Sequence, residues 1–338
     1  MRLLVTGSPG WLSDAFLEAA ARGGVAGLRY VRCLFHRSAM HAAAAYRQRF
    51  ASSSLEVDTV EGDLTDRASL QSAVAGMDVV LHGAAIMHPK RPRDYFRVNT
   101  CGTRDLAEAA AAAGVSRFVF VSSNAAGGRS RDGALMTESD PSRPASPYGL
   151  SKRLAEEWLM NVRGSMERVV LRPCMFYGAP VPQRHVDVYE RVVRSFMPLV
   201  GSGDYARSLV YVDNLVQAVG LALSRKEAAG QTYYVADAQP YTTREVMEAM
   251  ARALGVEPRY LRLPAAFARL AYAVDRVASI HDVYLQEVHL VGEADWNVGV
   301  SIEKARRELG YDPRVSLHEG MQRAVDWCRA QARLRPVQ

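Results

Sequence analysis

The sequence predicts an α/β fold, a doubly wound parallel sheet with a smaller, mostly helical C-terminal lobe. Three observations carry that expectation. Short apolar segments near residues 2–6, 29–35, 56–60, 78–82, 117–122 and 168–172 alternate with amphipathic or alanine-rich helical stretches. That alternation is the pattern of a parallel sheet covered on both faces by right-handed crossovers. The first segment runs directly into a glycine-bearing turn and a helix, and after Arg172 and Pro173 the regular alternation stops. The 338 residues suffice for one large α/β unit and an added lobe. We divide them at 1–175 and 176–335, with some segments of the second part returning to the sheet.

The first element ends in Thr6-Gly7-x-x-Gly10-x-x-Ser13. Gly7 permits a tight turn, Gly10 lets the backbone approach a pyrophosphate at the helix N-terminus, and Ser13 is small enough for close helix–strand packing. This is the start of a Rossmann-type dinucleotide fold, and Trp11 and Leu12 belong to the same turn. The second strand ends with Phe35 and His36, followed by Arg37 and Ser38, where an NAD enzyme commonly places a carboxylate for the ribose hydroxyls. Arginine suits a 2′-phosphate. The expected cofactor is therefore NADP, with NAD the alternative. After the third strand, Asp63 is placed to hydrogen-bond an adenine, with Leu64 beside it.

Further along, residues 105–113 form a strong helix stopped by Gly114. The fifth strand ends at Ser122 and Ser123, at the sheet edge where ligands bind. Residues 127–147, rich in Gly, Ser, Arg and Pro, form a loop bordering that edge. Tyr148 and Lys152 then fall four apart, on one helix face. An ammonium beside a phenol favours the phenolate and brings it toward the range of a general acid or base. The Ser123 hydroxyl would hold a substrate oxygen while Tyr148 exchanges its proton. Residues 178–207, with Pro180, Pro182 and Pro198, read as irregular. A helix starts near Asp213, a strand spans 232–235, and a helix over 242–254 is capped by Thr242 or Thr243 with Glu245 in a capping box. Residues 264–277 are apolar around much of a helix, and the last helices lie near 301–309 and 317–330. No internal repeat is present.

Composition narrows the function. The chain is 49% hydrophobic and 23% charged, ordinary for a soluble protein. The net charge of +6 comes from scattered arginines and no long basic run, which argues against nucleic acid. Cys33, Cys101, Cys174 and Cys328 have neither disulfide nor metal spacing, so a reducing, cytoplasmic setting without a metal is expected. No leader precedes the first strand, no apolar run reaches membrane-span length, and no membrane partner is expected. His88 and His185 read as ordinary polar contacts. Trp11, Tyr177 and Trp296 read as packing residues before substrate stackers.

Thr6-Gly-x-x-Gly10, Asp63-Leu64, His82-Gly-Ala-Ala85, Asn99, Ser122-Ser123, Tyr148-x-x-x-Lys152 and Leu171-Arg-Pro173 occur in order at the right intervals. Together they resemble the extended short-chain dehydrogenase/reductase family, also described as the NAD-dependent epimerase/dehydratase family, over nearly the whole chain. The resemblance implies a catalytic triad of Ser123, Tyr148 and Lys152, with Asn99 near the proton relay. It implies that Ala84 and Ala85 border the cofactor and that Pro173, Met175 and Phe176 pass beside the nicotinamide. It further implies that Lys152 binds the nicotinamide ribose and that the protein pairs into a homodimer. Asn124, Arg207 and Tyr177 are candidate substrate contacts. Family members that dehydrate or decarboxylate sugars carry an acid shortly after the serine, and Asn124, Ala125, Ala126, Gly127 and Gly128 supply none. The apolar stretch after Arg262 looks more like the 3β-hydroxysteroid dehydrogenase and dihydroflavonol reductase branches. The expected function is oxidoreduction of a ketone/secondary-alcohol pair on a small, hydrophobic or secondary-metabolite substrate. A nucleotide-sugar reductase or epimerase is the alternative, since Arg207 resembles a pyrophosphate ligand, and a non-catalytic NADP-binding regulator is a lesser one.

Overall fold

The computed structural model describes residues 1–130, 133–194 and 196–334. Its first half alternates as expected: β1 (Arg2–Ser8), α1 (Trp11–Ala21), β2 (Tyr30–Phe35), α2 (Ala43–Arg49), β3 (Glu56–Glu61), α3 (Arg67–Val74) and β4 (Val79–His82). A short α4 (Arg93–Tyr95) runs through a π-helical turn, Phe96–Cys101, into α5 (Gly102–Ala112). Then come β5 (Arg117–Val121), α6 (Pro147–Met160) and β6 (Glu167–Pro173).

The second half contains β7 (Met175–Tyr177), α7 (Gln183–Arg194), β8 (Met197–Val200), β9 (Ala206–Arg207), β10 (Leu209–Tyr211), α8 (Val212–Ser224) and β11 (Thr232–Val235). It continues through β12 (Tyr241–Thr242), α9 (Thr243–Leu254), β13 (Tyr260–Leu263), α10 (Ala265–Ile280), α11 (Gln286–Gly292), α12 (Glu303–Leu309) and α13 (Leu317–Ala330).

Seven parallel strands form the main sheet in the order β11-β6-β5-β4-β1-β2-β3. The order reverses at β1, which lies between β4 and β2, and the crevice beyond the strand ends at such a point is where ligands bind. Both faces of the sheet are buried. Leu3 and Val5 join one apolar cluster with Phe16, Val119 and Leu171, whereas Leu4 joins the other with Val80, Phe118 and Leu106. The period-2 geometry of a strand sends alternate side chains to opposite faces, so both sets must be apolar.

The stretch read as irregular, 178–207, contains a helix. Pro182 ends the irregular part, and its carbonyl accepts from the His185 N–H at 2.9 Å, just as α7 begins. Val186 and Tyr189 then bury one face of α7. The prolines flank this helix; they do not interrupt it. Thr242 forms the capping box with Glu245. Residues 131, 132 and 335, which belong to the predicted loop and lobe, lie outside the described residues.

Candidate active site

The turn after β1 is shaped to leave its backbone bare. Gly7 has φ +88°, and a Cβ there would lie 2.9 Å from the Ala84 nitrogen. A Cβ on Gly10 would strike the Gly7 carbonyl. Gly10 is the N-cap of α1 without a side-chain cap, so the positive end of the helix is open. Ser13 Oγ donates toward the Gly10 and Gly7 carbonyls at 2.9 and 3.1 Å and braces the turn from below. The buried Ser8 hydroxyl has no partner among the described residues. Bare glycine backbone that a Cβ would fill and an open helix N-terminus fit a dinucleotide pyrophosphate.

Thr6 and His82 tie this turn to the neighbouring strand. Thr6 Oγ1 lies 2.7 Å from His82 Nδ1 and accepts from the Ala84 N–H at 3.2 Å. His82 Nε2 meets Thr103 Oγ1 at 2.9 Å. Burial and the nearby Lys152 charge hold the imidazole down to about 3, so it stays neutral. At the rim, Arg37 and Ser38 are exposed, and Arg37 Nε lies 3.2 Å from Glu61 Oε1. His36 approaches Asp63 at 3.4 Å. Burial raises the Asp63 pKa, but bonds from the Thr65 N–H and hydroxyl outweigh it and leave the carboxyl below its ordinary value. Leu64 is buried where a Cβ on Gly102 would touch it, so its side chain packs under α5. Trp11 Nε1 donates to the Gly178 carbonyl at 3.1 Å, and its ring lies 4.7 Å from Phe176. Leu12, Ala84, Ala85 and Phe176 are partly buried, Pro173 is buried at the end of β6, and Met175 is 63% exposed.

Helix α6 brings the tyrosine and lysine to the end of β5. Ser146 caps it, accepting from the Gly149 N–H, with Pro147 in the first turn. Gly149 is required because a Cβ would collide with the Ala125 carbonyl, and this close approach draws Tyr148 toward Ser123. Ser123 and Asn124 open a short turn, in which Ser123 Oγ accepts from the Ala125 N–H at 3.2 Å. Burial pushes the Tyr148 phenol up to about 12, with the Ser123 hydroxyl pulling the other way.

The expected lowering of that phenol by Lys152 is not what the geometry gives. Lys152 Nζ donates to the Val121 carbonyl at 2.9 Å and sits 4.3 Å over the Phe120 ring. The ammonium is turned to the strand, and its own burial brings it down to about 7, partly opposed by Glu156.

Beneath these groups lies a buried cluster unread in the sequence. Glu156 is one further turn along α6 from Lys152. It pairs with Arg172 at 2.6 Å and accepts from Ser122 Oγ at 2.5 Å. Arg172 also reaches Ser142 Oγ at 3.1 Å. The i, i+4, i+8 spacing of Tyr148, Lys152 and Glu156 was the available signal. Asn99, buried in the π-helical turn, accepts from the Ile86 N–H at 2.9 Å and donates to the Ile86 carbonyl and Ser151 Oγ at 3.1 and 3.3 Å.

The opposite wall joins residues before and within α4 to the lobe. Tyr95 is buried with its ring 5.7 Å from Tyr148 and 6.0 Å from Tyr284. His88 Nδ1 lies 3.2 Å from the Tyr284 hydroxyl, and the His289 ring lies tilted 5.6 Å from that of Tyr284. His289 is bracketed by Asp275 at 2.9 Å and Glu293 at 3.4 Å. Tyr95 precedes Asn99 by one helical turn and was recoverable from sequence, whereas Tyr284 and His289 carry no motif. Arg207 is bound inside the lobe, donating to the Glu293 carbonyl at 2.7 Å and toward Thr243 at 3.4 Å. Tyr177 is a correction among the candidate substrate contacts. It is buried with its hydroxyl on Asp237 at 2.9 Å and its ring 5.4 Å from Tyr211, in the packing behind the crevice. His185 packs edge-on to Trp11 at 4.8 Å, and burial holds it down to about 4.

Comparison with known proteins gives consistent matches. A family model described as the NAD dependent epimerase/dehydratase family matches residues 3–236. The uncharacterized protein y4nL of Sinorhizobium fredii is 34% identical, covering 96% of this chain and 94% of that protein. A Stigmatella aurantiaca protein named as a 4-hydroxy-2-methyl-3-oxo-4-farnesyl-3,4-dihydroquinoline-1-oxide ketoreductase is 28% identical over 95% of each chain. The dTDP-glucose 4,6-dehydratase DesIV of Streptomyces venezuelae, solved with NAD and TYD bound, superposes with a TM-score of 0.78 at 25% identity over 100% of both chains.

Proposed function

The chain belongs to the NAD-dependent epimerase/dehydratase family, and from that premise we propose that it is an NADP-dependent oxidoreductase interconverting a ketone and a secondary alcohol. The observation that supports this reading most is Tyr148 beside the Ser123 hydroxyl at the end of β5, with Lys152 one turn further along the same helix and a glycine turn that fits a pyrophosphate next to them. The substrate is a small molecule with apolar, ring-like character, because Tyr95 and Tyr284 wall the crevice next to Tyr148. The name of the Stigmatella aurantiaca relative, a ketoreductase of a farnesylated ring compound, supports the same class. Within this reading, 1–175 binds cofactor and 176–335 shapes the substrate site, and the enzyme works as a cytoplasmic homodimer.

The nicotinamide, when bound, supplies hydride exchange at the substrate carbon. Ser123 Oγ holds the substrate oxygen. Tyr148 gives that oxygen its proton in reduction and takes it back in oxidation. A phenol near 12 is a reluctant acid, and the Lys152 charge is what must make it competent, by turning from the Val121 carbonyl toward the phenol and the ribose. Asn99 holds the Ile86 backbone and Ser151 in register beneath α6. Arg37 leaves Glu61 for the 2′-phosphate.

The full-length likeness to a dTDP-glucose 4,6-dehydratase supports a second reading, a nucleotide-sugar enzyme. Against it stand the missing carboxylate after Ser123 and the engagement of Arg207 within the lobe. Tyr148→Phe is expected to retain NADP binding and to lose about 10²–10⁴-fold in turnover of a ketone panel. Near-normal turnover would remove the proton-transfer role. A rise in Tm with dTDP or UDP would move the assignment to the sugar enzymes.

A further inference from the structure

Helix α10 is seated upside down for a water-soluble lobe. Its buried residues are Ala268 and Asp275, one heptad apart on the same face. On the opposite side, Phe267, Leu270, Val274, Val277 and Ile280 are 55, 64, 43, 58 and 77% exposed. At about 100° per residue these five fall in one stripe roughly 140° wide, directed away from the protein. Val283, 45% exposed, continues it toward α11. The hairpin is held in this orientation from within. Gly292 of α11 packs where a Cβ would lie 2.9 Å from the Tyr272 nitrogen, and His289 binds Asp275 at 2.9 Å.

Charge selects the occupant. Arg269 and Arg276, seven residues apart, lie along one edge of the stripe and are exposed. Arg269 reaches Asp295 only at 4.0 Å, and Arg276 donates to the Tyr272 hydroxyl at 3.5 Å. The sole carboxylate of α10, Asp275, is buried on the inner face. A second copy packed symmetrically on this stripe would set arginines near arginines with no acid from α10 to meet them. An apolar stripe edged by arginine is what an anionic headgroup layer over acyl chains accepts. Among the described residues no helix is long and apolar enough to cross a membrane, so the helix would lie in the interface plane.

We propose that the outer face of α10 docks this protein onto an anionic lipid bilayer. This departs from the sequence-based expectation of no membrane partner, and it does not depend on the reaction assigned above. It has a consequence for that reaction. The inner side of the same hairpin carries Tyr284 and His289, so docking sets the crevice beside the acyl layer, where an apolar substrate dissolves.

Vesicle flotation of the full chain tests this, using phosphatidylcholine vesicles with and without phosphatidylglycerol. The wild type is expected to float with the phosphatidylglycerol vesicles and to fall off at high salt. Val277→Asp with Ile280→Asp should lower the bound fraction about tenfold or more. Arg269→Glu with Arg276→Glu should remove the preference for phosphatidylglycerol. All four positions are exposed, and unchanged Tm and circular dichroism would establish that both variants fold. Absence of wild-type flotation, or equal flotation of the aspartate variant, overturns the proposal. So does a solution dimer that the aspartate variant splits, since a second copy would then own the face.

Discussion

On the sheet side of the crevice, Ser122, Lys152, Glu156 and Arg172 are all buried and hydrogen-bonded to one another or to the backbone of β5. On the lobe side, Tyr284, His289 and Glu293 are partly exposed, and α10 turns its apolar residues outward. The two walls are therefore held by different means. Groups that must keep their geometry rest on a parallel sheet packed on both faces. The lobe residues facing Tyr148 rest on a helical hairpin whose side chains reach the first half of the chain through His88 with Tyr284 and Arg93 with Asp282. Reaction geometry tolerates little displacement, and the buried, hydrogen-bonded sheet side is the wall built to hold it.

Removing the carboxylate under the fixed wall should have the largest effect. Glu156→Ala leaves Arg172 buried and unpaired and is expected to cost about 3–5 kcal/mol, measured by denaturant unfolding. A loss under 1 kcal/mol would show that the sheet side is no more rigidly built than the lobe side. At the rim of the same wall, Arg37→Asp should shift the ratio of NADP to NAD affinity by roughly 2 kcal/mol, read by titration of each cofactor. An unchanged ratio would sever Arg37 from the 2′-phosphate. The smallest effect belongs to the lobe. Tyr284→Phe is expected to raise KM by about fivefold, near 1 kcal/mol, with kcat and Tm nearly unchanged. A large fall in kcat or Tm would make this wall part of the fixed machinery.

The glycine turn, the strand–helix alternation and the Tyr148, Lys152 pair were visible in sequence because each depends on neighbours within a few residues. Glu156 continued that helical spacing, yet its meaning rests on Arg172 from β6, reached only after the chain crosses over. Helix α7 was missed because prolines were weighed as breakers without knowing that Val186 and Tyr189 have a core to enter. Tyr177 stood in the sequence both as a packing residue and as a candidate substrate contact, and the fold, by setting its hydroxyl on Asp237, favours packing.

Local rules are thus enough to determine the sheet, the bare glycine turn and the helix that carries the phenol, because backbone sterics and side-chain periodicity act over one or two turns. Tertiary structure alone decided where Lys152 points, what Glu156 neutralises and which face of α10 meets solvent. Those outcomes depend on desolvation and pairing between different elements, Lys152 with Val121 of β5, Glu156 with Arg172 of β6 and Asp275 with His289 of α11, which only the folded chain brings together.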